Sequence, residues 1–579
     1  MKEKRKKRAI YLGAIPDILR YQIITKTVLA ILLYLFNLIF KYLLRSAGKV
    51  AITSSDILFL FTSWQGITLL LLALTILVTY TVFDLIGMLN LVDLILSGEE
   101  KAVRQSFLLI PSALKRFLEP LGILLILYVS LLTPLIGIGL SISLTENFYI
   151  PTFISSVIQD TPFYRIIYNA VMIFLMIVSF IHYYCLHYII LGNLHVKNAL
   201  KQSRHLMKDN WKDFLRQNII FFLRMAPAYL LSLLIGIVVF IAVYALSDNN
   251  RLALLLLAMI LVTLFGLVSL FYRPFLTMKL TDMYRSYTDE ERTDLPIRST
   301  RKHPLLILGG ILLIALVVVA SHVMDTHFDE LFPAEVDVPL IAHRGGGNEG
   351  VENTVSGLNL AYELGTYGSE IDVQRTKDGC YIINHDSTFA RLAGVNKKPE
   401  DMTLEEIKEL NIQGEKVATI EEMLEASHGK LILFIELKGN TADDKMADDM
   451  VRMLKERKME DEAVLISLNY DLIDYIENKY PEIRTAYLTF LAFGNIADLN
   501  CDYIGLEEES ATPANISAIH DQNKKVLVWT VNTKESQRYF YKRNIDGMIT
   551  DEIIQAKEIK QELASRDDLT RILDGIFPD

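Results

Sequence analysis

The pattern of hydrophobic positions divides the chain into two parts. Residues 1–330 contain uninterrupted apolar runs of about 20 residues, the length that an α-helix needs to cross a bilayer. From residue 338 onward, short apolar stretches alternate with amphipathic segments, which predicts alternating strands and helices. We therefore predict a polytopic α-helical membrane domain at 1–325, a linker at 326–337 and an α/β domain at 338–579.

Seven apolar runs in the first part are predicted to span the membrane. Basic residues are concentrated in the N-terminal MKEKRKKR and in the loops after the second, fourth and sixth runs, whereas the other loops are poor in them. By the positive-inside rule, this alternation predicts a cytoplasmic N-terminus and an extracytoplasmic second part, and one span more or fewer would reverse that side. The first run lacks a small-residue cleavage site, so we expect a retained anchor. The predicted spans are residues 26–44, 66–90, 120–143, 167–191, 218–246, 252–272 and 304–321.

Ionisable residues inside the predicted spans have two interpretations each. Asp84 and Arg224 are candidates for a buried ion pair or a lipid head-group site, but they also fit side chains that extend to the membrane surface. His182 and His187 are expected to be hydrogen-bonded packing residues rather than ligands.

Charge separates the two parts as clearly as hydropathy does. The chain is 51% hydrophobic, with a net charge of +10 over residues 1–330 and −20 over residues 331–579. An acidic second part argues against a nucleic-acid partner, because phosphate backbones require a positive surface. With Cys185, Cys380 and Cys501 alone, a disulfide framework is excluded, and we expect inert thiols rather than a Cys380–Cys501 bond.

The second part has the size and rhythm of a TIM barrel. Eight strand–helix units in about 240 residues are typical of that fold, in which active sites lie at the carboxyl ends of the strands. The turn TKDG places an additional strand, 381–385, too close to its predecessor for a helix between them, so these two strands should form a hairpin. The predicted barrel strands are 338–343, 369–373, 431–437, 463–468, 485–490, 502–507, 525–531 and 546–551.

Three acidic residues lie on two of these strands. Glu370 and Asp372 are two positions apart, so their side chains point to the same face, and Glu436 ends the next barrel strand. Three carboxylates inside a barrel would repel each other unless a cation lies among them, and oxygen ligands favour Mg²⁺ or Ca²⁺ over zinc. A solvated acidic strand is the alternative, but parallel barrel strands have no solvent face.

Two histidines and two cations lie at strand ends near these carboxylates. His343 and His385 suit acid and base catalysis near neutral pH, in either assignment, although a single such histidine is often a core residue. Arg344 and Lys438 offer positive donors for a phosphate. A cation site, two histidines and two basic residues together indicate phosphoryl transfer.

These motifs resemble those of the glycerophosphodiester phosphodiesterase family. The resemblance rests on HRGGGNEGVENT, SEIDVQRTKDG, INHD, FIELK, WTVN and GMITD, which occur in that order across residues 338–560. The apolar part is similar to the membrane domain that is fused to this enzyme in some bacteria. Val351 stands where the family usually has Pro, and the segment after INHD lacks the usual Gly-rich turn, so substrate preference stays open.

The resemblance implies a TIM-barrel enzyme that uses a divalent cation to hydrolyse glycerophosphodiesters to glycerol 3-phosphate and an alcohol. It implies that His343 and His385 are the acid/base pair and that Glu370, Asp372 and Glu436 are metal ligands. It also implies that Glu352 faces the metal, that Arg344 and Lys438 contact phosphate, and that Trp529 lines the glycerol pocket. In the family mechanism, the neighbouring glycerol hydroxyl attacks phosphorus, and water then opens a cyclic phosphate.

The polytopic membrane part predicts that the protein is located in a bacterial plasma membrane. Candidate substrates are deacylated phospholipid head groups, lysolipids and glycerol phosphate polymers of a cell envelope. A lysophospholipase D or related phospholipase is a second enzymatic interpretation. A transporter or sensor that uses the barrel only for binding is an interpretation of another class, which the complete set of metal-ligand and histidine candidates disfavours.

Overall fold

The fold comes from a computed structural model that describes residues 2–117, 119–129, 158, 161–246, 250–288, 304–332 and 337–576. The chain forms two compact units. The first unit comprises Met1–Ile39 and Thr68–His327, and the second comprises Phe40–Ile67 and Phe328–Asp579.

Helices make up nearly all of the described chain before residue 332. In the described residues, six of them are long and apolar enough to cross a membrane, and they overlap six of the seven predicted spans. The predicted span 167–191 is wrong at its end, because the spanning helix ends at Ile181. The predicted span 120–143 begins in a helix, and its residues after 129 lie outside the described part of the chain. The helices are α1 (Lys2–Ser46), α2 (Phe59–Thr62), α3 (Trp64–Thr81), α4 (Met88–Leu96), α5 (Ala102–Phe117), α6 (Pro120–Leu127), α7 (Pro162–Ile181), α8 (Cys185–Ile190), α9 (Val196–Leu246), α10 (Asn250–Tyr287), α11 (Pro304–Thr326) and α12 (Phe328–Leu331); a π-helical turn, Val82–Gly87, joins α3 to α4.

Within residues 337–576, eight parallel strands close into a barrel, as the sequence predicts. Each strand pairs with two neighbours, and the first pairs with both the last and the second in chain order. One further strand, β4, forms the expected antiparallel hairpin with β3. After β1 (Ala51–Thr53), the strands are β2 (Leu340–Ala342), β3 (Gly368–Arg375), β4 (Tyr381–Ile383), β5 (Ile432–Leu437), β6 (Ala463–Ser467), β7 (Thr485–Thr489), β8 (Ala492–Gly494), β9 (Tyr503–Glu507), β10 (Lys525–Trp529) and β11 (Gly547–Thr550).

Helices cover the outer face of the barrel. Several begin at a Thr or Asp whose side chain accepts a backbone N–H of the first turn, which satisfies a donor that the helix leaves unpaired. Thr354, Thr403, Thr419 and Thr533 do so in four of them. The helices are α13 (Val355–Glu363), α14 (Ala390–Ala393), α15 (Leu404–Lys408), α16 (Ile420–Ser427), α17 (Asp444–Arg457), α18 (Tyr470–Lys479), α19 (Pro513–His520), α20 (Lys534–Tyr541), α21 (Ile553–Ala564) and α22 (Asp568–Ile576).

The barrel has apolar side chains on both faces of its strands. Ile341, Phe434, Val464 and Leu527 belong to one buried cluster on one face. Their strand neighbours Leu433 and Leu465 pack in a different cluster with helix residues such as those of α17. This double burial explains the nearly continuous apolar strands that the sequence shows.

The segment between α1 and α3 belongs to the second unit. There, β1 pairs antiparallel with β8, with Ile52 opposite Phe493. All three residues of β1 are buried, and the amide N–H of Ser54 donates to Thr489 Oγ1 at 3.3 Å. Gly494 has a φ of +94°, and a Cβ there would lie 3.0 Å from the carbonyl oxygen of Val50. A side chain at that position would therefore push the two strands apart.

All three cysteines are free. Cys185 and Cys501 are buried, and Cys380 is partly buried.

Candidate active site

Three carboxylates form the floor of the site. Glu370 and Asp372 project from β3 to the same face, and Glu436 on the neighbouring β5 lies in register with Asp372. All three are buried, and among the described residues they form a group whose ligand oxygens lie within 4.8 Å of one another. We call Glu370, Asp372 and Glu436 the acidic cluster. Buried negative charges at this spacing require a positive partner.

Lys438 supplies part of that positive charge. Its Nζ lies 2.9 Å from Asp372 Oδ1 and 2.9 Å from Glu436 Oε2. Burial and the charge of Asp372 raise the pKa of Glu370 to about 8. Burial also works against ionisation of Asp372, but Lys438 and His385 outweigh it and lower the pKa of Asp372.

The acidic cluster fits a divalent cation. One lysine leaves three carboxylates undercompensated, and the buried Glu370 Oε1 has no hydrogen-bond partner. Oxygen donors of this kind suit Mg²⁺ or Ca²⁺. The protein therefore presents a site in which a cation would replace the proton that burial otherwise imposes on Glu370.

His343 is held at the edge of the acidic cluster by Asp551. Its Nδ1 lies 2.7 Å from Asp551 Oδ1, and Asn532 Nδ2 donates to the second oxygen of that carboxylate at 2.7 Å. Burial disfavours the imidazolium, but Asp551 and then Glu370 attract it more strongly, so the pKa of His343 is raised. Its Nε2 lies 3.9 Å from Glu370 Oε2, so this nitrogen faces the cluster.

His385 has a different environment, just beyond β4. Its Nδ1 lies 2.8 Å from Asp386 Oδ1, while Arg391 Nε donates to Asp386 Oδ2 at 2.7 Å. Burial lowers the pKa of His385; Asp372 opposes this, and Lys438 and Arg344 add to it. Because Arg391 neutralises Asp386, that carboxylate stabilises an imidazolium less than Asp551 does. The two histidines therefore differ in their preferred protonation state.

The loop after β2 reaches into the acidic cluster through its backbone and one amide. Arg344 has a φ of 49°, and its backbone N–H donates to Glu370 Oε2 at 2.9 Å. Asn353 has a φ of 57°, and its Nδ2 donates to Asp372 Oδ2 at 2.9 Å. Left-handed backbone at a residue other than glycine costs free energy, so the surrounding contacts must hold it.

Glu352 is bound by two arginines. Arg391 donates to both of its oxygens at 2.7 Å, and Arg344 donates at 3.3 Å. Among the described residues, the group of carboxylates close enough to share a cation does not include Glu352. Its role as a metal ligand stays a prediction.

Trp529 ends β10 beside Glu507 of β9. Its indole Nε1 donates to the carbonyl of Gly505 at 3.1 Å, which fixes the ring at the carboxyl end of the barrel. Glu507 is buried, and burial together with Glu509 raises its pKa to about 9. A largely protonated carboxyl group therefore lies next to the tryptophan.

The structure brings most of the predicted site residues together. Lys438 contacts the acidic cluster directly, Arg344 binds it through its backbone, and His343 lies at its edge. The residues that orient this set were not assigned roles in the sequence. Asp386 directly follows His385 and Asn353 directly follows Glu352, so the motifs contain them, but only the fold gives them partners. Arg391 has no such signal, because it lies on a short helix five residues beyond Asp386.

Profiles of known protein families match both the membrane part and the barrel of the chain. The profile described as the membrane domain of glycerophosphoryl diester phosphodiesterase matches residues 11–321, which is more than half of the chain. The profile of the glycerophosphoryl diester phosphodiesterase family matches residues 343–555. The chain belongs to the glycerophosphoryl diester phosphodiesterase family. The resemblance and the fold class predicted from the sequence are thereby confirmed.

Relatives in this phosphodiesterase family are similar over a little more than a third of the chain. The glycerophosphodiester phosphodiesterase of Caldanaerobacter subterraneus is 29% identical over 230 residues, covering 37% of this chain and 93% of that protein. The glycerophosphodiester phosphodiesterase of Bacillus altitudinis is 24% identical over 242 residues, covering 39% and 98%. Among solved structures, that of an Oleispira antarctica phosphodiesterase in complex with the product sn-glycerol-3-phosphate is 24% identical in sequence, with a TM-score of 0.37. The match covers 38% of this chain and 96% of that chain.

Proposed function

We propose that the chain hydrolyses glycerophosphodiesters to glycerol 3-phosphate and an alcohol, with a divalent cation held by Glu370, Asp372 and Glu436. The observation that carries this proposal is the acidic cluster with His343 at its edge, in a chain of this family. The cation, Mg²⁺ or Ca²⁺, would stabilise negative charge on the phosphoryl oxygens. Two partly buried basic groups, Lys438 and Arg344, would add to that stabilisation, and the buried Nε of Arg344 lacks a partner that an anion would supply.

The different environments of the histidines support distinct roles. Asp551 raises the pKa of His343, so this histidine suits the general acid, and the lowered pKa of His385 suits the general base. In the first step, His385 takes the proton of the glycerol hydroxyl beside the ester, and that oxygen bonds to phosphorus. The phosphorus–alcohol bond breaks as His343 gives its proton to the departing oxygen. In the second step, His343 takes a proton from water, whose oxygen opens the cyclic phosphate, and His385 returns its proton to the glycerol oxygen.

The membrane part supports a substrate that originates in or near the membrane. Deacylated head groups, lysolipids and glycerol phosphate polymers all contain the required phosphodiester. The charge distribution of the loops supports an extracytoplasmic barrel on a bacterial plasma membrane, with Trp529 beside the glycerol moiety. The substrate source, the side of the membrane and the role of Trp529 are all proposed on the basis of the sequence.

The reaction is tested by release of glycerol 3-phosphate from a panel of glycerophosphodiesters and lysolipids. The full-length protein in nanodiscs would be assayed with Mg²⁺, Ca²⁺ or chelator. We expect release that depends on the cation and that Glu370→Gln abolishes. The control variant His520→Ala should release glycerol 3-phosphate like the wild type, since His520 pairs with Asp546 outside the site. A panel on which only lysolipids react would indicate a lysophospholipase D instead. Binding without turnover would contradict an enzymatic function.

The assignment of the histidines has its own test, which compares an alkyl glycerophosphodiester with glycerophospho-p-nitrophenol. Nitrophenolate leaves without a proton, so loss of the general acid should matter little for that ester. The rate is measured in a single turnover, in which release of the alcohol or nitrophenolate reports only the first step. We expect His343→Ala to lose about 10²–10⁴ of that rate on the alkyl ester and far less on the nitrophenyl ester. His385→Ala should lose a similar factor on both. Equal losses for His343→Ala on the two esters would contradict the assignment.

A further inference from the structure

A cavity of about 280 Å³ lies among the helices of the first unit. Residues of α1, α3, α4, α8 and α10 and of the π-helical turn surround it. Its lining residues are Gln22, Thr25, Lys26, Tyr80, Asp84, Leu85, Met88, Leu89, Leu186, His187, Ser269, Leu270, Arg273, Pro274, Thr277 and Leu280.

The lining carries a net positive charge. Lys26 and Arg273 are basic, and Asp84 is the acidic residue among the described residues that line the cavity. Asp84 attracts Arg273 electrostatically, whereas Lys26 makes no ion pair within the described part of the chain. Arg224, which the sequence pairs with Asp84 as a candidate, is exposed and does not line the cavity. One positive charge therefore remains uncompensated, which matches a monoanion.

Two polar side chains in the lining have unpaired atoms. His187 is 2% exposed, and its Nε2 lies 3.3 Å from Thr281 Oγ1, while its Nδ1 has no hydrogen-bond partner. When the threonine hydroxyl donates to Nε2, Nδ1 carries the hydrogen and is an unused donor. Gln22 Nε2 donates to the carbonyl of Leu270 at 3.3 Å, but its buried Oε1 also lacks a partner. Buried unpaired groups cost free energy, so a ligand that pairs them would be favoured.

The rest of the wall is apolar. Leu85, Met88, Leu89, Leu186 and Leu280 line the cavity beside the charged groups. The volume corresponds to about nine water molecules, which is room for a phosphorylated glycerol but not for a whole phospholipid. An occupant would therefore place an anionic head group inside and leave any acyl chains outside.

The sequence places these polar residues near the ends of predicted spans. Lys26 begins the span 26–44, and Arg273 directly follows the span 252–272, next to loops rich in basic residues. Basic pockets between membrane helices at that depth are a recurrent way to bind phospholipid head groups. Ionisable side chains within membrane helices cost free energy, and they usually have a functional role.

We propose that this cavity binds the phosphodiester monoanion of a glycerophosphate head group. Lys26 and Arg273 pair with the phosphate oxygens, His187 Nδ1 donates to an ester or phosphate oxygen, and Gln22 Oε1 accepts a glycerol hydroxyl. The occupant is either a membrane phospholipid or a water-soluble glycerophosphodiester, since both present this chemistry. The site is separate from the acidic cluster and does not depend on the hydrolytic reaction.

The test measures lipid retention by native mass spectrometry. Full-length protein would be released from phosphatidylcholine nanodiscs that contain a minority of phosphatidylglycerol. We expect the wild type to retain one phosphatidylglycerol and Lys26→Gln/Arg273→Gln to lose at least tenfold of that population. The matched control is Lys208→Gln/Lys212→Gln, which removes two exposed charges on α9 and should behave like the wild type. Arg273→Lys should restore part of the retention.

A second arm separates the two sources of the head group. Glycerophosphoglycerol added to the nanodiscs would displace the retained lipid if the cavity accepts the soluble diester, and would leave it bound if the acyl chains are required. The proposal would be overturned if the double variant and its control retained equal amounts of phosphatidylglycerol. It would also be overturned if the wild type retained diacylglycerol, which has no phosphate, as well as it retains phosphatidylglycerol. If the double variant does not fold, Lys26→Gln alone decides, because Lys26 is exposed on its helix and its loss leaves the packing intact.

Discussion

At the scale of single residues, the carboxylates beside the two histidines of the barrel explain why the pKa values of these histidines shift in opposite directions. Asp551 is fixed by Asn532 and faces His343, whereas Asp386 is shared between His385 and Arg391. A carboxylate that is already neutralised by an arginine has less attraction left for an imidazolium. The contrast between the two histidines therefore depends on Arg391 and Asn532, neither of which reacts.

Asp551→Asn should show whether Asp551 acts on His343 through its charge or only through packing. The substitution keeps the shape but removes the charge that raises the pKa of His343. A general acid works only while protonated, so activity is lost as pH rises through its pKa, and in the variant this loss should occur at lower pH. We expect the rate to fall by about 10²–10⁴, measured as kcat over a range of pH. Asp546→Asn, beside His520, is the control, and an unshifted profile for Asp551→Asn would contradict the role.

Glu352 offers a second prediction at this scale. Because Arg344 and Arg391 both bind it, Glu352→Gln should weaken the loop but leave the cation affinity within about tenfold, whereas Glu370→Gln should abolish cation binding. Calorimetric titration with Mg²⁺ or Mn²⁺ reports this without any turnover. If Glu352→Gln loses binding as completely as Glu370→Gln, then Glu352 is a ligand, as the family resemblance implies.

The reacting candidates could be predicted from the sequence because strand geometry is regular. Glu370 and Asp372 are two positions apart, and that spacing alone places them on one face. The contacts of Asn353 could not be predicted in this way. They depend on left-handed backbone at Arg344 and Asn353, a conformation that arginine rarely adopts and that asparagine favours too weakly to be predicted at one position.

At the scale of elements, α17 shows how one capping residue supports a helix of the barrel. Asp443 accepts the backbone N–H of Met446 at 2.9 Å and forms a two-pronged ion pair with Arg375 of β3. The helix buries Met446, Met450 and Leu454 on one face, four residues apart. Asp443 therefore links the start of the helix to the strand that carries the acidic cluster.

Asp443→Ala should destabilise the barrel by about 1–2 kcal/mol, and Asp443→Asn, which keeps a capping oxygen, by about 0.5 kcal/mol. The small second value reflects the partial exposure of the ion pair, which water screens. Urea unfolding followed by Trp529 fluorescence would measure both, with Trp64 and Trp211 replaced by Phe. Equal losses for the two variants would show that the ion pair, rather than the cap, carries the effect.

The pH dependence of this capping contact has a defined sign. The bonds from Arg375 lower the pKa of Asp443 in the folded state. Its contribution is therefore present above the unfolded pKa of about 3.9 and is lost as pH falls through the folded value. The stability difference between wild type and Asp443→Asn should shrink on acidification, and a constant difference would contradict this linkage.

Most elements of the barrel could be predicted because alternation and turn signals repeat along it. The short strand β1 could not be predicted. Its three residues lie between two apolar runs, and its partner β8 is more than 400 positions away in the sequence. Pairing over that separation depends on the folded surface around Thr489 and not on any local preference.

At the scale of the whole molecule, hydropathy and charge predict two parts, but they do not assign the segment between α1 and α3. Residues 40–67 form a compact unit with the barrel, although the sequence places them within the membrane part. Hydropathy marks only where a span ends. It carries no information about which surface the following loop contacts.

A cysteine pair would test this contact in native membranes. Ile52 and Phe493 are opposite each other in an antiparallel ladder, where Cα atoms lie about 4.5–5.5 Å apart, within the range of a disulfide. We expect Ile52→Cys/Phe493→Cys to form a linked peptide on mild oxidation, detected by mass spectrometry. Ile52→Cys with Asn478→Cys on α18 should not do so. Failure to link, while a maleimide added after unfolding labels both introduced cysteines, would contradict the strand pair.

The strand pair also constrains how many times the chain crosses the bilayer. Two strands cannot exchange hydrogen bonds through hydrocarbon, so Thr53 and Ala492 lie on one side, and the chain between β1 and the barrel must cross an even number of times. The described residues of that stretch contain five candidate spans, and the apolar run at 120–143 would make the number six. A three-residue strand thus serves as a parity check on the topology of the entire membrane part.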